Sequence, residues 1–220
     1  LLLLPPTSTL FPYTTLFRSV DLKRGHLDCA RILEYGAKPE DWRIAMTFCG
    51  ANAIVLADGL GRTIWEVTGH HFESINLGRL SVDSSGKQIA VDIDHRPMGE
   101  SPIWLLDQDG AKITEIITPY SRHHKLLDWT GDGVCELVVA HNHTLYNAQG
   151  NVLAAFQAPA EILKEAEGVE ISVLTGDMTG DGVPDILLVS PSHVLVYENT
   201  NGKVPEEAVP TGTGLNLTLY

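Results

Sequence analysis

The sequence predicts an all-β protein built from repeated small sheets, and three observations lead to this expectation. Short apolar runs alternate with Asp, Asn and Gly turn residues along most of the chain. A hairpin pattern, in which an apolar strand ends at Asp or Asn and Gly follows three residues later, occurs four times. A further apolar run precedes three of these hairpins, at the place of an inner strand.

The hairpins define the length of the repeat. They cover residues 54–61, 103–110, 145–150 and 195–202, and their glycines are 49, 40 and 52 residues apart. A period of about 40 to 50 residues with several short strands and almost no helix is typical of β-propeller blades, each a four-stranded sheet. We therefore predict a partial β-propeller of about four four-stranded blades, the C-terminal part of a ring of about six to eight.

The segments between the hairpins agree with this arrangement. Residues 89–91, 137–140 and 186–189 are apolar at consecutive positions, as expected for strands that neighbouring blades cover on both faces. Only the segment from Pro159 to Gly168 has a helical composition. We expect it to form one short helix inserted between two blades.

The start of the chain differs from the rest. Thr9 to Ser19 reads TLFPYTTLFRS, which is the in-frame translation of a common sequencing-adapter DNA. We therefore expect residues 1–19 to be artefactual and exclude them from fold reasoning. Residues 20–220 are predicted to be a propeller fragment whose upstream blades and N-terminus are missing.

The charge of the chain limits its partners. The formal net charge is −13, and there is no Lys/Arg cluster that could neutralise phosphates, so we expect no nucleic-acid partner. No apolar stretch approaches the length of a membrane span, so we expect no membrane insertion. Cys29, Cys49 and Cys135 lack the spacing of a zinc site or of a disulfide framework. We expect three buried thiols, with a Cys29–Cys49 bridge as the alternative.

Two nine-residue loops have the same pattern, DxTGDGxx[DE], and start 49 residues apart at Asp128 and Asp177. The pattern places oxygen donors at positions 1, 3, 5 and 9, a backbone carbonyl at 7 and Gly at 6, as in a calcium-binding loop. We therefore predict two structural Ca²⁺ sites; the alternative is a pair of polar Asp-Gly turns. The predicted ligands are Asp128, Thr130, Asp132, Val134 and Glu136 in the first loop, and Asp177, Thr179, Asp181, Val183 and Asp185 in the second. The preceding repeat has Arg79 in place of the first Asp, so we expect no ion there.

The paired loops followed by apolar strands resemble FG-GAP repeats, which are known from integrin-α-like propellers. Over residues 44–220 the chain also resembles the propeller of family 11 rhamnogalacturonan lyases, through GHHFESINLG, IAVDID, SPIWLLDQDG, YSRHHKLLDWTGDG, GDMTGDGVPDILLV and GTGLNLTLY. This resemblance implies a monomeric, secreted or periplasmic polysaccharide lyase that cleaves an acidic polysaccharide by β-elimination. The alternative is a non-catalytic FG-GAP propeller that binds glycans or protein partners.

Seven of the nine histidines lie between His70 and His143. When the repeats are aligned on the calcium loop, the segments before two first strands come into register, and such strand entrances line the centre of a propeller. Cleavage of a uronate needs a positive group for the carboxylate and a base for the C5 proton. Arg122, a histidine or calcium suits the first role, and Tyr120 or His71 the second. The predicted catalytic residues are His70, His71, Tyr120, Arg122 and His123.

The remaining candidates have plain structural readings. We expect the segment from His141 to His143 to be a blade loop rather than a metal site. Trp104 and Trp129 could stack on a sugar ring, but core packing is the expected role.

Overall fold

The computed structural model describes residues 25–97, 99–162 and 171–204. The predicted artefactual segment, residues 1–19, lies outside this range. In the predicted helix, residues 160–162 are helical, and residues 163–168 lie outside the described range.

Within these residues, fifteen strands form four antiparallel sheets, each with its strands in chain order. Two short 3-10 turns, Pro39–Asp41 and Cys49–Ala51, lie in the connections between the first three strands. The first sheet contains β1 (Leu27–Glu34), β2 (Arg43–Phe48), β3 (Ala53–Ala57) and β4 (Thr63–Thr68). The second contains β5 (Phe72–Gly78), β6 (Gln88–Ile93), β7 (Ser101–Leu106) and β8 (Lys112–Thr118). The third contains β9 (His124–Leu127), β10 (Glu136–Val139), β11 (Thr144–Tyr146) and β12 (Val152–Ala155). The fourth contains β13 (Ser172–Gly176), β14 (Asp185–Val189) and β15 (Val194–Tyr197) within the described residues.

The core lies between successive sheets, because side chains alternate along each strand. In β6, Ile89 and Val91 pack in one cluster with residues of the first sheet, whereas Ala90 packs in another with residues of the third sheet. In β10, Val138 packs towards the fourth sheet and Val139 towards the second. The consecutive apolar runs are therefore strands covered on both faces, as predicted.

The sheets are arranged as propeller blades. Their first strands contact one another in sequence, β1 with β5, β5 with β9 and β9 with β13. Side chains join these strands: Ser74 donates to the carbonyl of Arg122, and Asn76 donates to the carbonyl of His124. Strands of one kind thus line a common inner side, and the predicted fold class, all-β and partial β-propeller, is confirmed.

The turns between third and fourth strands have one design in the first three sheets. An Asp or Asn side chain accepts the amides two and four residues ahead, as Asp107 does from Asp109 and Ala111 at 2.9 and 2.8 Å. Asp58 and Asn147 make the same pair of bonds. The glycines that follow have φ near +80°, a region that favours glycine: Gly61, Gly110 and Gly150.

Trp104 and Trp129 have the predicted packing roles. Trp104 packs against the core between the first two sheets, and its ring centroid lies 5.6 Å from that of Phe72. Trp129 packs on the core between the third and fourth sheets, with its centroid 5.7 Å from that of Phe156.

Candidate functional site

A cavity of about 280 Å³ lies where the first three sheets meet, and we call it the inner cavity. The loops that enter β1 and β5, the turn after β2, the turn after β6 and the loop before β9 all contribute to it. Every residue that lines it has a titratable side chain. The lining residues are His26, Cys49, His71, Glu73, Asp94, His95 and Arg122.

A histidine–carboxylate pair lies in this wall. Nε2 of His71 is 3.0 Å from Oε1 of Glu73, and the glutamate is 5% exposed. An ionised carboxylate only accepts hydrogen bonds, so Nε2 carries the proton and Nδ1 keeps its lone pair. The His95 ring lies against His71, with 4.0 Å between centroids. The pair therefore presents a histidine whose ring is oriented by a buried carboxylate, as the ring of a general base needs.

Arg122 reaches the same cavity from the third sheet. Its backbone is held by Ser74, whose hydroxyl lies 3.1 Å from the Arg122 carbonyl and 2.8 Å from Oδ1 of Asp92. Asp92 is fully buried in β6, and Oδ1 also accepts the Ser74 amide at 2.7 Å. Burial raises the pKa of Asp92 to about 8, although the Ser74 hydrogen bonds act in the opposite direction. The loop with Arg122 is thus anchored to a buried carboxyl group in the neighbouring blade.

The five predicted catalytic residues lie in different places. His71 and Arg122 line the inner cavity. His70 packs against Trp104, with centroids 4.7 Å apart, and its Nδ1 lies 2.9 Å from a guanidinium nitrogen of Arg96. The Tyr120 ring lies 5.7 Å from the ring of His141, and His123 immediately precedes β9. The structure therefore brings two of the five together, and their catalytic roles stay predictions.

The segment from His141 to His143 forms the turn between β10 and β11, which is the predicted blade loop. His143 has a positive φ of 52°, and Asn142 donates to the Tyr146 hydroxyl at 2.7 Å. Burial lowers the pKa of both histidines.

Three residues of the first sheet form a cluster that sequence reasoning missed. Among the residues that the structure describes, His26, Asp28 and Cys49 are the group of potential metal ligands whose donor atoms lie within 4.8 Å of one another. All three cysteines are free thiols, so the alternative of a Cys29–Cys49 bridge is wrong; Cys29 and Cys49 are buried, and Cys135 is half-buried. No local sequence motif indicates the cluster, because its residues meet only when β1 pairs with β2. Cys49 is 21 positions from Asp28 and 23 positions from His26.

Burial, together with the carboxylates of Asp28 and Glu73, raises the pKa of the Cys49 thiol to about 11. Burial likewise raises the pKa of the Cys135 thiol to about 11.

The two predicted calcium loops have the same internal structure. Asp128 accepts the amides of Gly131 and Gly133 at 2.7 and 2.9 Å, and Asp177 accepts those of Gly180 and Gly182 at 2.6 and 2.9 Å. The four glycines have positive φ values. The closing carboxylate accepts the amide of the second loop residue at 2.8 Å in both loops, from Trp129 to Glu136 and from Met178 to Asp185. The repeated pattern therefore specifies one repeated conformation.

The donor chemistry of these loops fits a hard cation such as Ca²⁺, because every predicted ligand offers oxygen. In the first loop, Thr130, Asp132, Val134 and Glu136 line one cavity of about 310 Å³. Within the described part of the chain, however, the carboxylates of neither loop come within 4.8 Å of one another as a group of three. Because three such oxygens do not converge, cation binding requires some of these side chains to turn.

The equivalent loop of the second sheet is built without acidic ligands at its two ends. Arg79 takes the place of the first Asp, and its guanidinium donates to the carbonyls of Ser81 and Val82 at 3.1 and 2.5 Å. Gln88 takes the place of the closing carboxylate and accepts the Leu80 amide at 2.6 Å. A fixed side-chain cation thus bonds the loop carbonyls, which gives a physical basis for the predicted absence of an ion.

Comparisons with known proteins agree on the fold. The family model described as FG-GAP-like repeat matches residues 128–188, which include both calcium-type loops and support an FG-GAP-type propeller. No curated protein sequence matches the chain. Part of the described fold resembles the biofilm matrix protein Bap1 of V. cholerae, with a TM-score of 0.52 and 16% identity over 80% of this chain and 27% of that one. It also resembles BBS1N, solved in complex with ARL6DN, with a TM-score of 0.54 and 14% identity over 79% of this chain and 52% of that one. The chain thus spans about a quarter and about half of these two proteins.

The structure describes no helix that is long and apolar enough to cross a membrane.

Proposed function

We propose that this propeller is a secreted or periplasmic polysaccharide lyase that cleaves an acidic polysaccharide, such as rhamnogalacturonan, at the inner cavity. The observation that carries the proposal is the meeting of the His71–Glu73 pair with Arg122 in one cavity, although they come from different blades. A base and a positive group in one cleft are the minimum that proton abstraction beside a carboxylate requires.

In this mechanism Arg122 binds the uronate carboxylate. A guanidinium forms paired, charge-assisted hydrogen bonds with a carboxylate, and it stabilises the negative charge that develops when the C5 proton leaves. The Ser74 and Asp92 contacts hold the backbone of Arg122 in position for this contact.

His71 acts as the base through Nδ1. The Glu73 carboxylate accepts a hydrogen bond from Nε2–H and stabilises the imidazolium that forms. The electron pair of the C5–H bond forms the C4–C5 double bond, and the C4–O bond breaks. The leaving oxygen takes a proton from an acid, and we assign this role to His95, whose ring centroid lies 4.0 Å from that of His71.

We further propose that the loops at 128–136 and 177–185 bind Ca²⁺ and stabilise their blades. Asp128, Thr130, Asp132, Glu136 and the Val134 carbonyl would hold one ion. Asp177, Thr179, Asp181, Asp185 and the Val183 carbonyl would hold the other. Bound Ca²⁺ would offset the repulsion among the loop carboxylates, and no step of the elimination needs it.

The test is the absorbance of the unsaturated uronate product. The complete protein that contains these residues is mixed separately with rhamnogalacturonan, pectin and ulvan. We expect absorbance to rise with one of the three polysaccharides. New reducing ends should appear only together with that rise. A complete absence of product with all three polysaccharides would refute the lyase.

The alternative is a propeller that binds glycans without cleaving them. Arg122, His71 and His95 can hold an acidic sugar by charge and hydrogen bonding alone, since binding needs no proton transfer. Saturable binding of one of the three polysaccharides without any product would favour this function.

A further inference from the structure

We propose that His26, Asp28 and Cys49 form a binding site for a transition-metal cation of the Zn²⁺ class in the wall of the inner cavity. Their donor atoms all lie within 4.8 Å of one another. Nε2 of His26 is 2.7 Å from the Cys49 sulfur and 2.8 Å from Oδ1 of Asp28. Imidazole nitrogen, thiolate sulfur and carboxylate oxygen are the donors that zinc prefers, whereas Ca²⁺ takes oxygen alone.

Hydrogen bonds can join this cluster, since the Cys49 thiol is also a donor, but its three donor atoms are equally close enough to share one cation. One imidazole nitrogen carries at most one hydrogen, so Nε2 cannot donate to both the sulfur and the carboxylate. Oδ1 of Asp28 receives no well-aligned hydrogen bond, although the aspartate side chain is 1% exposed. A buried carboxylate oxygen in this situation is costly unless another positive group faces it.

The backbone brings the three donor residues together before any ion arrives. The side chains would move apart to admit it, because zinc bonds of about 2.0 Å to nitrogen and about 2.3 Å to sulfur need a wider N···S distance than 2.7 Å. Asp28 lies in β1, and Cys49 directly follows Phe48, the residue of β2 that pairs with Leu27. Oδ2 of Asp28 accepts the Cys49 amide at 2.7 Å, which leaves Oδ1 for the cation. One carboxylate thus fixes the turn with one oxygen and offers a ligand with the other, as supporting contacts in metal sites do.

The site opens towards the inner cavity. His26 and Cys49 line that cavity together with Glu73. Oε2 of Glu73 is buried and has no hydrogen-bond partner, while Oε1 is taken by His71. The site thus offers three protein ligands and a fourth position that faces the inner cavity. Zinc sites that keep one position for water or for another ligand have this arrangement. The inference does not depend on the proposed lyase activity.

The test uses Co²⁺ as a spectroscopic probe for zinc on the reduced 220-residue chain. We expect a sulfur-to-cobalt charge-transfer band that saturates at one equivalent, disappears on addition of Zn²⁺, and persists in excess Ca²⁺. Cys49→Ser and His26→Gln should each abolish the band or weaken Co²⁺ binding at least about tenfold. The matched controls Cys29→Ser and Cys135→Ser remove the other two thiols and should keep it.

Circular dichroism of each variant checks the fold. His26→Gln decides the outcome if Cys49→Ser does not fold, because the His26 side chain is 55% exposed and its replacement leaves the core unchanged. The proposal is overturned if the folded wild-type chain gives no thiolate band, or if folded His26→Gln keeps the wild-type band and affinity.

Discussion

Glu73 determines the chemistry available to His71, because it fixes which ring nitrogen carries the proton. We therefore expect His71→Ala to lower kcat of the proposed elimination at least about a hundredfold, the usual contribution of a general base. Glu73→Gln should lower it less, since the amide can still hold the ring but no longer stabilises the imidazolium. Rates of unsaturated-product formation measure both effects.

His193→Ala is the matched control for this substitution. His193 is exposed, lies next to β15 and does not belong to the residues that line the inner cavity. Its replacement should leave the rate unchanged. Equal rates for His71→Ala and wild type would contradict the role of His71 as the base.

Asp92 makes stability depend on pH in an unusual direction. Its pKa is about 8 in the folded chain, because of burial, and near 4 when unfolded. Between these values the folded state keeps the proton and the unfolded state has lost it, so stability falls as pH rises. Relative to Asp92→Asn, wild type should lose up to about 1.4 kcal/mol of unfolding free energy per pH unit in this window.

Urea unfolding of both proteins from pH 5 to pH 8 measures this difference. Parallel stability profiles for the two proteins would show that Asp92 does not titrate in that range. The same comparison reports on the cavity, because Asp92 holds Ser74, whose hydroxyl contacts the Arg122 carbonyl.

The hairpin turns join neighbouring blades as well as strands. Gly110 has a φ of +82°, and a Cβ there would lie 2.9 Å from the ring of Trp65 in the first sheet. The Trp65 indole also donates to the Gln108 carbonyl at 2.8 Å. Gly110→Ala should therefore cost about 1 to 2 kcal/mol for the backbone and about 1 to 3 kcal/mol for the clash.

Gly69→Ala separates these two contributions. Gly69 has a φ of +104°, but no atom lies within 4 Å of the position of its Cβ. Chemical denaturation should show a smaller loss of stability for Gly69→Ala than for Gly110→Ala. Equal losses would mean that the Trp65 contact does not restrain the turn.

The calcium-type loops should couple cation concentration to stability. A cation that binds only the folded state raises the unfolding free energy by about 2.7 kcal/mol at a hundred times its Kd. We expect the Tm of the chain to rise with Ca²⁺. The rise should be smaller in Asp128→Asn, and smaller still in the double variant that carries Asp128→Asn and Asp177→Asn. Differential scanning fluorimetry with and without a chelator measures the shift.

Asp107→Asn is the control for the loop substitutions. Its turn uses Oδ1 alone to accept two amides, and Asn147 shows that asparagine does the same in the third sheet. This variant should keep the full Ca²⁺-dependent shift. A wild-type Tm that does not change with Ca²⁺ would contradict the assignment of the two loops as Ca²⁺ sites.

Local patterns predicted the elements well, because each depends on residues close in sequence. The Asp/Asn-to-Gly spacing identified the hairpins, and consecutive apolar residues identified strands such as β6 and β10. The conformation of the loop at Gln88 was missed, since one inserted residue hides its correspondence with Glu136.

Contacts between blades explain what the sequence could not supply. Register placed His71 and Arg122 at the entrances of adjacent first strands, and both line the inner cavity. Nothing in the sequence placed His26 and Cys49 in this cavity, because they reach it only through the pairing of β1 and β2 and the packing of β1 on β5. Tyr120 and His70 also lie before the first strands β9 and β5. However, the Tyr120 ring contacts His141 and the His70 ring contacts Trp104.

The molecule as a whole is a stack of sheets whose first strands share an inner side, and the inner cavity exists only because three sheets meet there. Hydrophobic faces between sheets hold this arrangement, while polar links such as the one from Ser74 to Arg122 set the relative position of the loops. Any ligand of the cavity therefore contacts several blades at once, and its binding depends on their packing.

Calorimetric titration of the complete protein with acidic oligosaccharides from rhamnogalacturonan, pectin and ulvan tests whether the inner cavity is the binding site. The measurement compares wild type with Arg122→Ala and with Arg43→Ala, an arginine outside the seven residues that line the cavity. We predict that one oligosaccharide binds wild type and Arg43→Ala equally, and binds Arg122→Ala at least about tenfold more weakly, because a charge-assisted contact is lost. Equal affinity for all three proteins, or no binding of any of these oligosaccharides to wild type, would contradict the assignment of the inner cavity as the binding site.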